Sequence, residues 1–559
     1  MHTISSPGAT NFMPMLGDAR KSDMALAIPM HAVSVAKNPC ALAWSGLSYT
    51  VGVSKSTAHP QGKKAILKNV SGRCAPGELT AILGPSGSGK TTLLDILADR
   101  ISSGHVEGSV EMNGEKRDVK TFRAVTSYVA QEDSLLGSFT VLETLQMAAK
   151  LSLPSSVTST MIDERVQNVV EEMGLRACEH TLGLCREGMT VICTIHQPSS
   201  LVYDMFTSIG ILSAGETVYF GPRVEIIPHF ASTGYQCPMY LNPAEYFISL
   251  VNSDFDGHAD LPKLISAYNG SNTQLSLEAS ITADRNSAPA AKVVEYSTPS
   301  SFRQFTVLMY RNTLNNIRNP GIYWVRLFMY FMLSFMVGTM YLSTNDDISE
   351  EDIVPLLFYV QAFLVFMSVA VLPFFIEQRA VFMRERANNS LSVLSYVVAN
   401  FLASLPGIFL IAVMSSALVV YLAGLNSFGY FLLNLFLSLV VAESLMHVIG
   451  AAVSHYIIGI ALGAGIFGMF MLCEGFMVPR DAIPDYWIWG YYLAFHTYSF
   501  ESFVFEHFSQ EDTPTSKAIL KRLGMEDVDV DRDMAILAGY VVAFEVIFAL
   551  ILYKFHTGR

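Results

Sequence analysis

The sequence predicts two architectures in series: an α/β domain over residues 41–250, then an all-α membrane domain of six helices over residues 301–559. Three observations predict this. Residues 41–250 alternate short apolar strands with helix-like runs, punctuated by turns such as Cys74-Ala75-Pro76-Gly77-Glu78, which is the pattern of an α/β sheet. Beyond Pro320 six apolar segments follow one another, each long enough to cross a hydrocarbon core of about 30 Å. The 559-residue chain is 51% hydrophobic and only 15% charged, against about 25% charged in an ordinary soluble domain.

The same composition excludes several classes. A formal net charge of −13 argues against a nucleic-acid binder, which would show a basic patch. The seven cysteines, Cys40, Cys74, Cys178, Cys185, Cys193, Cys237 and Cys473, are an odd number without CxxC or Cys/His spacing. Neither a disulfide framework nor a zinc site is predicted. Residues 1–40 read as a disordered cytosolic tail. The run Met24–Ala36 imitates a signal-peptide core, but Asp18 and Asp23 precede it, so a cleaved targeting peptide is not expected.

Inside the α/β region, Gly84-Pro85-Ser86-Gly87-Ser88-Gly89-Lys90-Thr91 matches GxxxxGK[ST], with strand-like Leu79–Leu83 before it and helix-like Thr92–Leu97 after it. That context is what a phosphate-binding loop requires. Glycines let successive backbone N–H groups point at phosphates, and the helix N-terminus adds a positive dipole end. Lys90 is placed to reach the β/γ-phosphates and Thr91 to ligate Mg²⁺. The predicted domain is therefore of P-loop NTPase type, with Gly84 to Thr91 and Thr92 as nucleotide-binding residues and a nucleotide with Mg²⁺ as the expected cofactor. Residues 251–300, rich in Ser, Ala, Asn and Asp, read as a linker. Asn-x-Ser sequons at Asn69, Asn269 and Asn388 fall in regions placed in the cytosol, so glycosylation is not expected there.

The six spans are expected near 322–342, 353–376, 396–421, 429–453, 455–477 and 535–555. An even number puts both termini on one side. Arg303, Arg311 and Arg318 precede the first span, Arg379, Arg384 and Arg386 lie between the second and third, and Lys554 and Arg559 follow the last. By the positive-inside rule these ends are cytoplasmic. The outer loop Asp346–Asp352 has no Lys or Arg, and Trp487, Trp489 and Tyr491 stand where an interfacial belt would. Within the spans, Glu443 and His447 share a helix face, and Glu474 and Glu545 lie in the fifth and sixth. Their residue types suit either interhelical hydrogen bonding or transport chemistry. Gly459 and Gly463 form GxxxG, a signal for close helix contact.

A phosphate loop followed by six spans resembles an ATP-binding cassette half-transporter, and further residues sharpen the resemblance to the G (White-Brown) subfamily, whose cassette precedes the membrane domain. Tyr128–Asp133 resembles the Q-loop, in which the glutamine, here Gln131, senses Mg²⁺ and couples to the membrane domain. Thr194–Ser200 resembles the switch motif, whose histidine, here His196, contacts the γ-phosphate. Asn242-Pro243-Ala244-Glu245-Tyr246 is similar to the motif that closes the subfamily's cassette, and Glu377–Arg386 to the loop between spans two and three that transmits cassette motion. Tyr49 stands where the family stacks an aromatic on adenine; its other reading is a strand core residue. The resemblance implies a homodimer or heterodimer with another half-transporter of the subfamily, in the plasma membrane. It also implies export of hydrophobic or amphipathic compounds such as lipids or sterols. A cavity lined by spans two and five would make Phe363, Phe366, Phe467 and Phe470 substrate candidates.

The family pattern breaks in one place. No LSGGQ-type signature and no Walker B strand ending in Asp-Glu is present. Leu212-Ser213-Ala214-Gly215-Glu216 resembles a signature but follows His196 and reads as a hairpin. Gln131 and His196 are 65 positions apart, about half the family's usual separation. Glu172–Leu175 reads like the sequence before a signature and Gly188–Ile192 like the strand after Walker B, which puts a junction near Thr181-Leu182. The cassette is thus read as incomplete. In the family each ATP lies between one subunit's phosphate loop and the other's signature, so weak ATP binding through Lys90 and Thr91 without family-like hydrolysis is expected. The alternative is a catalytically inactive, regulatory isoform that pairs with intact half-transporters, or a sequence from which one exon has dropped.

Overall fold

The computed structural model describes residues 40–55, 60, 62–101, 103–130, 134–155, 157–173, 189–195, 197–252, 259–287, 299–342, 349–388, 391–511 and 513–556. Two sheets form the N-terminal part. In the first, β1 (Leu42–Gly52) lies between β2 (Lys63–Cys74) and β4 (His105–Met112), all antiparallel, and the short β5 (Glu115–Lys116) extends β4. Trp44 of β1 is fully buried and faces Gly72 of β2 in register; a Cβ at Gly72 would stand 2.2 Å from the indole.

The second sheet carries the phosphate loop. Its order is β6 (Val191–Thr194), β3 (Leu79–Leu83), β7 (Ser208–Ser213) and β8 (Glu216–Pro222). β3 pairs parallel with both β6 and β7, and β8 returns antiparallel on β7. All five residues of β3 are buried, as expected for a strand covered on both faces. Helices α1 (Lys90–Leu97), α2 (Val119–Val125), α3 (Val141–Ser152), α4 (Ser159–Met173), α5 (Ser200–Met205), α6 (Arg223–Ser232) and α7 (Pro243–Leu250) complete this part.

The expected linker 251–300 contains two helices, α8 (Leu261–Asn269) and α9 (Asn272–Asn286). Leu264 and Tyr268 of α8 are buried, and the Tyr268 hydroxyl donates to the Phe220 carbonyl of β8. The polar α9 is held by two forked ion pairs instead of an apolar stripe. Arg73 of β2 binds both oxygens of Asp284 at 2.6 and 3.0 Å, and Arg285 binds both oxygens of Glu111 of β4 at 2.7 Å. Such bidentate pairs fix orientation as well as energy.

The C-terminal part is all-helical: α10 (Ser301–Arg318), α11 (Trp324–Met340), α12 (Glu350–Ala387), α13 (Val393–Ala423), α14 (Phe428–Ala452), α15 (Tyr456–Cys473), α16 (Ile488–Leu493), α17 (Phe495–Phe508), α18 (Pro514–Leu523) and α19 (Val530–Phe555). Five of them, α12, α13, α14, α15 and α19, are long and apolar enough to cross a membrane. The expected first span is α11, whose 17 residues reach about 25 Å, so five helices meet the length where six were expected.

The segment 377–386, expected as a loop, is the helical end of α12. Its Gln, Arg and Ala residues favour helix, and Arg384 and Arg386 suit a C-terminal dipole end. Higher up, α12 widens into a π turn at Val360–Leu364 and tightens into a 3-10 turn at Met367–Val371, just before Pro373. A proline lacks the N–H that would continue the α ladder, which accounts for the irregular stretch beside it. The GxxxG glycines make room for neighbours within the chain: a Cβ at Gly459 would stand 2.3 Å from Leu372, and one at Gly463 2.5 Å from Met446.

Candidate nucleotide-binding site

β3 ends at Leu83 and α1 begins at Lys90, so Gly84–Gly89 forms the turn between them. Gly84, Gly87 and Gly89 have φ of 144°, 76° and 98°, backbone that only glycine adopts without strain. No side chain caps α1, which leaves its first N–H groups directed out of the helix end toward an anion. The Lys90 ammonium donates to the carbonyls of Gly84 and Pro85, both at 2.7 Å, and burial lowers its pKa from the usual lysine value. Ser86, Gly87 and Thr91 face outward, Pro85 and Thr92 are half-buried, and Ser88 is buried with no partner for its hydroxyl. An open turn of left-handed glycines around an enclosed ammonium, with one orphan hydroxyl, fits a phosphate chain, and the exposed Thr91 hydroxyl fits a Mg²⁺ ligand.

The turn is propped from below by the β7–β8 hairpin. Ala214 and Gly215 have φ of 49° and 83°, the two-residue turn that matches strand twist, so Leu212–Glu216 is a hairpin as its sequence indicates. The Gly215 N–H donates to the Ser88 carbonyl at 3.2 Å, and the Lys68 N–H to the Gly215 carbonyl at 2.8 Å. A Cβ at Gly84 would stand 2.1 Å from the Leu212 carbonyl oxygen.

Two expected residues, Gln131 and His196, lie outside the described residues, as does the junction at Thr181-Leu182. Their neighbours are placed. Tyr128 donates its hydroxyl to Asp95 of α1 at 2.8 Å, and burial together with that carboxylate pushes its pKa up to about 12. Asn242 caps α7 by accepting from the Ala244 N–H, and its amide donates to the Pro198 carbonyl, tying the closing motif to the switch segment. Tyr49 takes its core reading: it is 5% exposed and donates to the Ser103 carbonyl at 2.9 Å, so its ring has little face left for an adenine.

Sequence reading missed the joint between the two parts. Thr140 and Glu143 form a capping box on α3, legible as Thr-x-x-Glu. The Glu143 carboxylate also accepts from Arg318 at the end of α10, at 2.9 Å. Ser138 donates to Asn315, and Arg303 to the Pro154 carbonyl. On the other side Arg311 pairs with Glu385. Arg379 donates to the carbonyls of Gly450, Val453 and Ser454 at the end of α14, and Arg386 to those of Leu552, Tyr553 and His556 at the end of α19. Gly450, Leu552 and Tyr553 are last-turn carbonyls that a helix cannot satisfy itself, and Val453, Ser454 and His556 lie just past the two helix ends.

Within the apolar helices the ionisable groups are mostly paired. Glu443 meets Arg326 of α11 at 2.7 Å, and Glu545 accepts from Ser444 at 2.9 Å with His447 at 3.8 Å. Both oxygens of the buried Glu474 lack a partner among the described residues. The four phenylalanines divide. Phe366 and Phe467 meet at 6.2 Å between ring centres, and Phe467 and Phe470 are buried against Phe495 and His496 of α17. Phe363 stacks on Tyr359 and is exposed.

Comparison with known proteins adds three observations. The ABC transporter profile matches residues 67–186, and two ABC-2 type transporter profiles match residues 303–506 and 196–259. ABC transporter G family member 1 of Petunia hybrida is 30% identical over 91% of this chain and 91% of its own. The chain belongs to the ABC transporter G family. Member 11 of Arabidopsis thaliana is 31% identical over 82% of this chain and 76% of its own, and member 22 of Dictyostelium discoideum 30% identical over 93% and 95%. The petunia and Dictyostelium alignments run over 586 and 595 residues, more than the 559 of this whole chain. These G-family relatives therefore carry residues without a counterpart here. ATP binding follows from the cassette match, and a membrane location from the ABC-2 domain and its apolar helices.

Proposed function

We propose that this chain is one half of a dimeric G-family transporter that binds MgATP at Gly84–Thr92 and moves a hydrophobic or amphipathic, lipid-like compound outward across the plasma membrane. The observation that carries it is the glycine turn around Lys90, set in a cassette that is hydrogen-bonded through α3 to the first membrane-proximal helix. MgATP supplies a phosphate chain whose negative charge the loop N–H groups and Lys90 are arranged to receive. Thr91 would hold the metal, with Gln131 as its second protein ligand and His196 facing the γ-phosphate. In this reading α11 counts as the first of six spans and both termini are cytoplasmic. The arginines that close the ends of α14 and α19 lie at the charged side that the positive-inside rule assigns to the cytoplasm. Phe363, Phe366, Phe467 and Phe470 on spans two and five are the substrate candidates of this reading, with Phe366 and Phe467 in contact at 6.2 Å between ring centres.

A second reading rests on the sequence: without the Asp-Glu of a Walker B strand and without a signature, the cassette would bind ATP without turning it over and serve as a regulatory partner of intact half-transporters. The experiment is ATP turnover and fluorescent-lipid export by the purified chain in proteoliposomes, alone and co-expressed with an intact half-transporter. Turnover alone, abolished by Lys90→Ala, supports the first reading. Binding without turnover, with inhibition of the intact partner, supports the second.

A further inference from the structure

We infer that Arg100 is the positioning residue through which the phosphate-loop helix acts on the membrane helices. The inference rests on the nucleotide reading above and adds to it the side chain that passes the signal on. Arg100 lies three residues beyond α1; after the left-handed Asp99 (φ 58°) its N–H donates to the Asp95 carbonyl at 2.8 Å, a closing bond that ties it to the C-terminal end of the helix that starts at the phosphate loop. Its guanidinium lies over the Tyr128 ring, 4.4 Å from the ring centre, and Tyr128 is itself tied to Asp95 at 2.8 Å. Stacking on an aromatic face fixes the plane of a guanidinium. Held in that plane, Nη2 of Arg100 donates to Oδ1 of Asn388 at 2.7 Å.

Asn388 is the C-cap of α12, and the residues just before it hold three other helices. Glu385 pairs with Arg311 of α10, Arg386 closes α19, and Arg379 closes α14. A displacement of α1 therefore arrives at one hydrogen bond and is handed to a cluster that grips three helix ends. The contacts from α3 do different work. Glu143 with Arg318, Ser138 with Asn315 and Arg303 with the Pro154 carbonyl all join α10 to α3 and its flanking turns. They keep the parts attached whatever the phosphate loop does, whereas the Arg100 bond starts on the helix that the nucleotide touches. Tyr128 belongs to the segment that resembles the Q-loop, so that segment and the end of α1 meet at the same guanidinium.

The test is hydrogen exchange on the full chain in lipid nanodiscs, with and without MgATP. Wild type is expected to show slower exchange with MgATP both in residues 84–97 and at the end of α12. Arg100→Ala is expected to keep the first effect and lose about half or more of the second. Asn388→Ala, which cuts the same bond from the membrane side, is expected to do the same, and Asn388→Asp, which offers the guanidinium a carboxylate, is expected to retain both. Protection at the end of α12 that survives in Arg100→Ala and Asn388→Ala overturns the role of Arg100, as does Asn388→Asp behaving like Asn388→Ala. Absence of protection in residues 84–97 of wild type overturns the nucleotide reading and the relay with it.

Discussion

The guanidinium of Arg326 lies 2.7 Å from the carboxylate of Glu443, and both side chains are buried between α11 and α14. Two opposite charges removed from water depend on each other. Losing one partner strands the other, at a cost of about 3–5 kcal/mol, whereas replacing both with apolar side chains of similar volume is often close to neutral. Arg326→Met and Glu443→Met are each expected to lower the thermal midpoint in detergent sharply, and the double variant to recover most of the loss. A double variant whose loss equals the sum of the two singles would show that the charges do not depend on each other.

Gly215 tests whether the hairpin supports the phosphate loop. A Cβ there would stand 2.2 Å from the Ile66 carbonyl oxygen, and its φ is 83°, so alanine is both crowded and strained. Gly215→Ala is expected to weaken binding of a fluorescent ATP analogue at least about tenfold, equivalent to about 1.4 kcal/mol, although Gly215 touches no phosphate. Gly137→Ala, where nothing stands within 4 Å of the added carbon, is the control. Unchanged affinity in Gly215→Ala removes the supporting role.

Glu143 supplies a pH dependence with a definite sign. Its hydrogen bond from Arg318 and that from the Thr140 N–H hold its pKa at about 2, below the ordinary 4.5. A depressed carboxyl stabilises the fold above its unfolded value and ceases to do so as pH falls through its folded one. The difference in thermal midpoint between wild type and Glu143→Gln should therefore stay constant from neutral pH to about 5 and shrink between about 4.5 and 2. A difference already gone at pH 6 contradicts the pairing.

Arg386 closes the end of α19 with three carbonyl contacts. Charge-assisted hydrogen bonds contribute about 1.5–3 kcal/mol each at most, and less near solvent. Arg386→Ala is expected to speed amide exchange in the last turn of α19 about tenfold, with Arg386→Lys intermediate because one ammonium cannot serve three carbonyls in a fixed plane. Exchange that matches wild type would mean that the helix end is held by other contacts.

The phosphate loop and the hairpin were legible because both depend on neighbours in sequence: glycines at fixed spacing, a strand before and a helix after. The linker reading failed for the opposite reason. α9 carries a single buried apolar residue, Ile281, and is fixed by Arg73 and Glu111, far away in the chain. No local periodicity announces such a helix. Arg326 was missed because one arginine near the start of an apolar run reads as a flank, while its partner lies 117 positions on. The end of α12 was taken for a loop because it joins two spans, although its residues favour helix. Tyr49 shows the limit of a family position: the right residue type stands at the right place in the strand, yet packing turns its ring inward.

The wide turn at Val360–Leu364 and the tight turn at Met367–Val371 also change how α12 must be scanned. A regular helix advances about 100° per residue, but a wide turn advances less and a tight turn more, and with five residues in each the two shifts nearly cancel. A helical wheel drawn through residues 350–387 therefore misplaces the stretch between Val360 and Val371 while keeping the two flanking halves nearly in phase. Cysteine labelling along this span should give one accessibility wave that is broken between Val360 and Val371 and resumes close to its original phase, and lipid-facing positions chosen for spin labels are best taken outside that stretch.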